Sequence, residues 1–363
     1  MRKNLRRLAK WEHGVKGFSS LSTHRPLALV EMTWFFNKMD QSKLVFITTI
    51  ILVCWIAFII AWERISPYRK GLPFFRDGFW VDLVWYTIIQ SYFLKILIFD
   101  YIIAPIQHHF SVTGLELFKN WTITEQVLFF LFTHDLYIYL FHRLQHRSKL
   151  LWRTHEAHHS GKEVDFLAGS RSHIVEIIIN QTIEFAPIMI LSPNPEIIVP
   201  IKALLDAMFG MFIHANINVK FGRLKYFLNT PELHLWHHAN YREVFHKNFS
   251  TKFSMWDYLF GTVYDPGKKP GDLRDNWGLY YDYPKDYFLQ HAFSVKRFDE
   301  QKLLRYRWFN WYYNLRPRFL ERTIAQWNYL RQGTRAKAEI TENTPEPSPE
   351  LSQPQENYIS CED

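Results

Sequence analysis

Residues 44–62, LVFITTIILVCWIAFIIAW, contain no charged side chain and are bracketed by Lys43 and Glu63. At about 1.5 Å rise per residue this run reaches roughly 28 Å as a helix, close to the ~30 Å hydrocarbon thickness of a bilayer. It begins well inside the chain and no small-residue cleavage site follows it, so it does not read as a signal peptide. The fold class expected is an all-α integral membrane protein with this run as its first span.

Further spans are less pure. Residues 79–106 are apolar but interrupted by Asp82, Lys95 and Asp100, and read either as one tilted span or as a tight re-entrant pair. Residues 122–141 form another candidate, carrying Glu125, His134 and Asp135, and 174–191 with 197–218 form a helical hairpin turning at SPNP. About four to five transmembrane helices follow. Glu176, Asn180, Glu184, Asp206 and His214 lie within the later spans. An ionisable group in a membrane is costly, so each is either functional or privately paired.

The rest of the chain divides by composition. Residues 1–43 are a basic lead-in suited to an interface, with nine Lys/Arg against Glu12, Glu31 and Asp40. Residues 44–298 form the membrane-embedded domain. Residues 299–337 alternate basic and aromatic side chains, as an interfacial helical segment does. Residues 338–363 hold seven acidic groups, no Lys or Arg and repeated Pro, a disordered composition. Aromatics are 18% of the chain and many of the 14 Trp flank apolar runs, as interfacial belts do. The net charge of +8 therefore reads as a membrane-surface bias, with no nucleic-acid module to accompany it. Three spans ahead of the first histidine cluster would separate it from the N-terminus. The lead-in and the 63–78 linker are both basic, however, so the positive-inside rule cannot place both. Two cysteines, Cys54 and Cys361, exclude a disulfide framework, an iron–sulfur centre and a Cys-type zinc site.

Nine of the 17 histidines fall into a pattern. His142 and His146 stand four apart in FHRLQHR. His155, His158 and His159 lie in HEAHHS, His214 in FIHANI, and His234, His237 and His238 in HLWHHAN. On a helix, H-x-x-H-H confines three imidazoles to an arc of roughly 100°, so all three can point at one centre. Imidazole suits Fe, Zn, Cu or Ni, each taking about four to six donors, so nine histidines suggest two ions at four or five each.

This order of histidine boxes on a multi-span chain resembles the fatty acid hydroxylase/sterol desaturase superfamily, as do HHSGKEVDFLAGSRSHIVE (158–176) and NFSTKFSMWDYLFGTVYDP (248–266). The resemblance covers roughly residues 79–295. It implies a helical membrane enzyme with the histidine clusters facing the cytosol, at a bacterial inner membrane or the endoplasmic reticulum. It implies two iron ions, O₂ as co-substrate, and hydroxylation or desaturation of a lipid C–H bond. The ligands carried over are His142, His146, His155, His158, His159, His214, His234, His237 and His238. Two positions depart from the family pattern: Gly210 stands where some branches have a third-box histidine, and Ile174 where proline follows the G-S-R-x-H stretch. Groups suited to orienting the imidazoles from behind are Asp135, Asp165, His173, Glu176, Asn216, Asn240 and Asp257. No nucleotide fingerprint, P-loop or haem module is recognisable. The electron donor is therefore external: a ferredoxin, a cytochrome with its reductase, or a pterin.

Two other functions compete. His155-Glu156-Ala157-His158-His159 also matches H-E-x-x-H, a zinc protease with Glu156 as general base, but that reading leaves the other boxes without a role. A non-enzymatic metal transporter or sensor would string ionisable groups along several spans as a path.

Overall fold

The computed structural model describes residues 40–110, 116–267, 277–303 and 305–307. The readings of nearly all the basic lead-in, of the interfacial segment beyond 307 and of the acidic tail lie outside the described residues. Among the described residues there is no β-strand, and two isolated bridges, Pro67–Ile217 and Ala239–Trp277, are the sheet-like pairings.

Helix α1 (Gln41–Ile65) contains the first apolar run. Helix α2 (Val81–His109) settles the ambiguous segment as one continuous span of 29 residues, mixing α with wider π turns. In those wide turns the Thr87 and Ser91 hydroxyls donate to carbonyls five residues back, Asp82 O at 2.8 Å and Tyr86 O at 3.2 Å. Helix α3 (Ile123–Gln145) starts on a reciprocal cap: Glu125 N donates to Thr122 Oγ1 at 3.2 Å, and Thr122 N donates to the Glu125 carboxylate at 2.6 Å. Helix α4 (Lys149–His159) follows after a short turn capped by Ser148. Helices α5 (Ile174–Leu191) and α6 (Pro195–His214) form the expected hairpin. Helix α6 stops at His214 because Ile217 pairs with Pro67 of the α1–α2 linker. Shorter helices α7 (Pro231–His237), α8 (Met255–Leu259) and α9 (Tyr287–Val295) complete the cap.

Four of these helices, α1, α2, α5 and α6, are long and apolar enough to cross a membrane. Helix α3 is not among them; its buried face carries Gln126, Asp135, His142 and Gln145. The outward faces of α1 and α2 present Phe46, Val53, Phe58, Phe93 and Tyr101, as lipid contact requires. Between membrane helices, packing and polar contacts replace the hydrophobic effect as the cohesive force. Ile98, Phe130, Phe185, Ile188 and Ile198 interdigitate between α2, α3, α5 and α6, and Trp55 Nε1 donates to Met208 O at 3.1 Å across α1–α6. Buried Glu63, at the end of α1, accepts from Phe166 N at 2.9 Å and Asn216 N at 2.8 Å. It thereby ties the loop after α4 to the exit of α6. Three of the ionisable groups inside α5 and α6 pair with one another: Lys202 Nζ lies 2.6 Å from both Glu184 and Asp206, and also 3.2 Å from His134 Nδ1 of α3.

Candidate metal centre

Four helices bring their C-terminal ends to one place. His142 lies in the last turn of α3 and His146 caps it. His155, His158 and His159 end α4, His214 ends α6, and His234 and His237 end α7 with His238 as its cap. The unpaired carbonyls of a helix C-terminus amount to roughly half a negative charge and favour cations within the last turn. Eight of the nine histidines are buried and His146 is half-buried.

The imidazoles form two groups. His142, His146, His155, His159 and His237 make the first, and His158, His214, His234 and His238 the second. Within each group the ligand-capable nitrogens lie within 4.8 Å of one another. Five and four matches the division expected from their number. The three imidazoles of an H-x-x-H-H unit, which could share one centre, are divided between the two. Each unit sends its i,i+4 pair to one group and its middle histidine to the other: His155 and His159 to the first but His158 to the second, His234 and His238 to the second but His237 to the first. An arc of roughly 100° is wide enough to straddle two adjacent points, and both units run between them.

Hydrogen bonds on the far side of the rings fix the tautomers. His142 Nδ1–H donates to Phe249 O at 2.7 Å, His237 Nδ1–H to Lys247 O at 2.7 Å, and His155 Nδ1 meets Glu176 Oε1 at 3.1 Å. In the second group His158 Nδ1–H donates to Arg171 O at 3.1 Å and His214 Nδ1–H to Gly210 O at 2.7 Å. A ring that spends its N–H on a carbonyl turns a lone pair inward at Nε2. All five Nε2 atoms of the first group are buried without a hydrogen-bond partner. In the second, Nε2 atoms face each other at 3.2 Å (His158–His214), 2.9 Å (His214–His234) and 3.3 Å (His234–His238). His158 and His214, which both spend Nδ1–H on a carbonyl, present Nε2 lone pairs to each other, and lone pairs that close repel unless a cation lies between them. Metal–imidazole bonds of about 2.0–2.1 Å at right angles would place two nitrogens roughly 3 Å apart. Burial pushes the His146, His158, His159, His234 and His238 imidazoles well below their ordinary range, neighbouring imidazoles push the same way, and burial takes His237 to about 3. Converging in both groups, and without a hydrogen-bond partner in the first, the nine nitrogens fit metal ions. The third convergence, His134, Glu184 and Asp206, already encloses the Lys202 ammonium.

Of the orienting groups read from sequence, Glu176 touches an imidazole directly. Asp257 acts one step back: it accepts from Phe249 N and Ser250 N, both at 2.9 Å, and so aims the Phe249 carbonyl at His142. Asp135 accepts from Thr251 Oγ1, Lys252 N, Phe253 N and Trp256 Nε1 at 2.7–3.0 Å, anchoring the same segment to α3. The others are elsewhere. Asp165 pairs with Arg76 at 2.7 Å, Asn216 bonds Arg69 N and O, and His173 caps α5 through Val175 N while stacking on His291 at 4.6 Å. Asn240 makes no hydrogen bond to any of the nine histidines among the described residues. His291 is itself packed, accepting from Ile174 N at 3.2 Å and bonding Tyr287 O at 2.8 Å. Sequence reasoning missed Arg171, whose carbonyl holds His158 while its guanidinium grips Asp82 of α2 at 2.7 and 2.9 Å. Glu156 points away from the histidines: it accepts from Tyr281 Oη at 2.7 Å and from both Nη atoms of Arg297. That position does not suit a protease base, nor is Glu156 an unengaged surface group.

Residues 127–262, which include all nine histidines, match the fatty acid hydroxylase family model. Ornithine lipid hydroxylase OlsE of Rhizobium tropici is 26% identical over 239 residues, 64% of this chain and 71% of that protein. The alkylglycerol monooxygenases of Homo sapiens and Danio rerio are 28% and 29% identical over 128 residues, 35% of this chain and 28% of each of those proteins. No solved structure matches the chain. Over residues 127–262 the chain is thus similar to the fatty acid hydroxylase domain, and the relatives it resembles are a lipid hydroxylase and monooxygenases.

Proposed function

We propose that the chain is an O₂-dependent, non-haem di-iron oxidoreductase that oxidises a C–H bond of a membrane lipid. One observation carries the reading: nine imidazoles, divided five and four, with the ligand-capable nitrogens of each group converging. One ion takes His142, His146, His155, His159 and His237; the other takes His158, His214, His234 and His238. Iron is preferred to zinc because O₂ chemistry needs a redox-active metal with open positions. Bound iron would supply the activation of O₂ and the oxidising power.

The chain's own groups do the rest. Glu176 and the Phe249, Lys247, Arg171 and Gly210 carbonyls hold the rings in the ligating tautomer. An apolar wall at buried Phe249, whose ring packs on His142, His146 and His237, keeps water from the centre. The lipid-facing spans offer an acyl chain a route that avoids water. The names of the relatives, a lipid hydroxylase and a monooxygenase, favour hydroxylation over desaturation and a lipid with a polar head. Glu63 bridges the end of α1 to the exit of α6, so the 63–78 linker, with Arg64, Arg69, Lys70 and Arg76, shares a face with the histidines. The positive-inside rule then favours the cytosol for that face. Reducing equivalents come from an external ferredoxin, cytochrome with its reductase, or pterin. The test compares lipid extracts of cells with and without the gene by mass spectrometry. One lipid class should lose a single oxygen when the gene is absent; identical lipids in the two extracts, with the folded protein present in the first, overturn the proposal.

A further inference from the structure

Among the described residues two that are not glycine hold a left-handed backbone, His246 at φ 61° and Asn248 at φ 56°, and both lie in one segment behind the first histidine group. That conformation crowds Cβ against the chain and is seldom adopted outside glycine, asparagine, aspartate and histidine. It persists only where the surroundings over-determine it. Around Asn248 they do. The residue is 2% exposed. Its amide nitrogen donates to Leu233 O of α7 at 2.8 Å and to Tyr264 O at 2.9 Å, and its amide oxygen accepts from Tyr264 N at 2.7 Å. Its backbone N–H donates to Thr262 O at 2.9 Å.

The carbonyls on either side of Asn248 each hold a ring. Lys247 O accepts from His237 Nδ1 and Phe249 O from His142 Nδ1, both at 2.7 Å. These rings come from different helices, α7 and α3, yet belong to the same group of five. The peptide planes that carry the two carbonyls are related through the dihedrals at Asn248 and Phe249. With one carbonyl on its ring, the backbone at Asn248 decides whether the other meets its own. Asp257 secures the Phe249 end alone, through Phe249 N and Ser250 N. The second group rests elsewhere, His158 on Arg171 O and His214 on Gly210 O.

We propose that Asn248 is a positioning residue for the first metal ion: its left-handed backbone, locked by three side-chain hydrogen bonds, aims the Lys247 and Phe249 carbonyls so that His237 and His142 present Nε2 to one ion together. This rests on the two-metal reading above. The position then carries a backbone requirement as well as a side-chain one. Asparagine meets both, glycine the first alone, and alanine neither. Aspartate meets the first and keeps an oxygen to accept from Tyr264 N.

The test uses full-length protein in detergent, loaded with iron(II) without oxygen, and follows the loss of each ion to a competing chelator. The ion missing from His237→Ala identifies the first site. Asn248→Ala should loosen that ion about 10- to 100-fold, the range for losing support behind a metal-bound histidine, and leave the other unchanged. Asn248→Gly lacks the same side-chain hydrogen bonds but adopts the left-handed backbone freely, so it should recover most of that loss. With cobalt(II) in place of iron, the visible absorption of the first site should shift in Asn248→Ala and return towards the wild type in Asn248→Gly. A side chain that only holds the fold together predicts another pattern: both ions loosen in parallel, and glycine does no better than alanine. That result, or variants that keep both ions as tightly as the wild type, overturns the proposal. If Asn248→Ala fails to fold, Asn248→Gly and Asn248→Asp decide: a loosening confined to the first ion upholds the proposal, and none, or loosening of both, overturns it. A folded wild type that takes up neither iron nor cobalt overturns the metal centre and this inference together.

Discussion

Replacing Glu176 with alanine removes the carboxylate behind His155 without touching an imidazole. The bond is 3.1 Å long, and the two side chains are only 5% and 7% exposed, so water cannot replace the lost acceptor. A hydrogen bond to a charged group contributes about 1.5–3 kcal/mol, roughly 10- to 150-fold in an equilibrium constant. Loss of a partner behind a metal-bound histidine typically weakens metal binding about 10- to 100-fold. The two routes agree, and Glu176→Ala is expected to weaken one ion by that factor. Glu176→Gln keeps an acceptor oxygen but not the charge. A charge-assisted bond being roughly twice as strong as a neutral one, about half the loss should remain, some 3- to 10-fold. Chelator competition on purified protein resolves the ions by their release. One ion should loosen in the order alanine, glutamine, wild type, the other staying put. Equal loosening of both ions, or no difference between the two variants, would refute the reasoning.

Gly169→Ala puts a Cβ 2.7 Å from His214 Nδ1 and 3.1 Å from two ring carbons. Overpacking of that kind costs about 1–3 kcal/mol, and metal analysis should find the ion of the second group depleted and that of the first retained. Asp135→Asn leaves two buried N–H donors facing an amide; two bonds at about 1.5–3 kcal/mol each predict markedly earlier thermal unfolding in detergent. Glu156→Gln should leave metal content intact, because its partners are Tyr281 and Arg297, while His158→Ala loses an ion. Acid should destabilise the metal-free protein. Its buried imidazoles, such as His237 at about 3, protonate only on unfolding, where the value is about 6.5. Stability is then complete above pH ~6.5 and falls as pH drops towards 3, by up to about 1.4 kcal/mol per pH unit for each proton taken up. Melting temperatures of metal-free protein between pH 7.5 and 5 check the sign, and a rise on acidification would contradict it.

The apolar run at 44–62 and the repeated histidine spacing were legible because each is a local pattern: unbroken hydropathy for a span, and period 3.6 for a helix face. Glu176 was legible for a similar reason, since an acidic residue in an apolar helix demands a partner. How the two H-x-x-H-H units divide was not legible. Helical spacing says which side chains share a face but not where a target lies, and here two targets sit within one arc. The acceptors behind four of the rings, at Phe249, Lys247, Arg171 and Gly210, are backbone carbonyls. Every residue has one, so composition carries no trace of them. Asp165 and Asn216 were misplaced by nearness in sequence: both are spent on Arg76 and Arg69 of the linker, a contact set by the packing of α1 against α6.

Iron content per chain in purified single and double variants tests the crossed assignment most directly. The wild type should hold about two irons. His158→Ala and His238→Ala, though from different boxes, should each lose the same one, and together still only one. His159→Ala should lose the other, so that combining it with His158→Ala, its sequence neighbour, empties both sites. A wild type holding one tightly bound zinc that iron loading cannot replace, or a His158/His159 double variant that keeps one iron, would contradict the account.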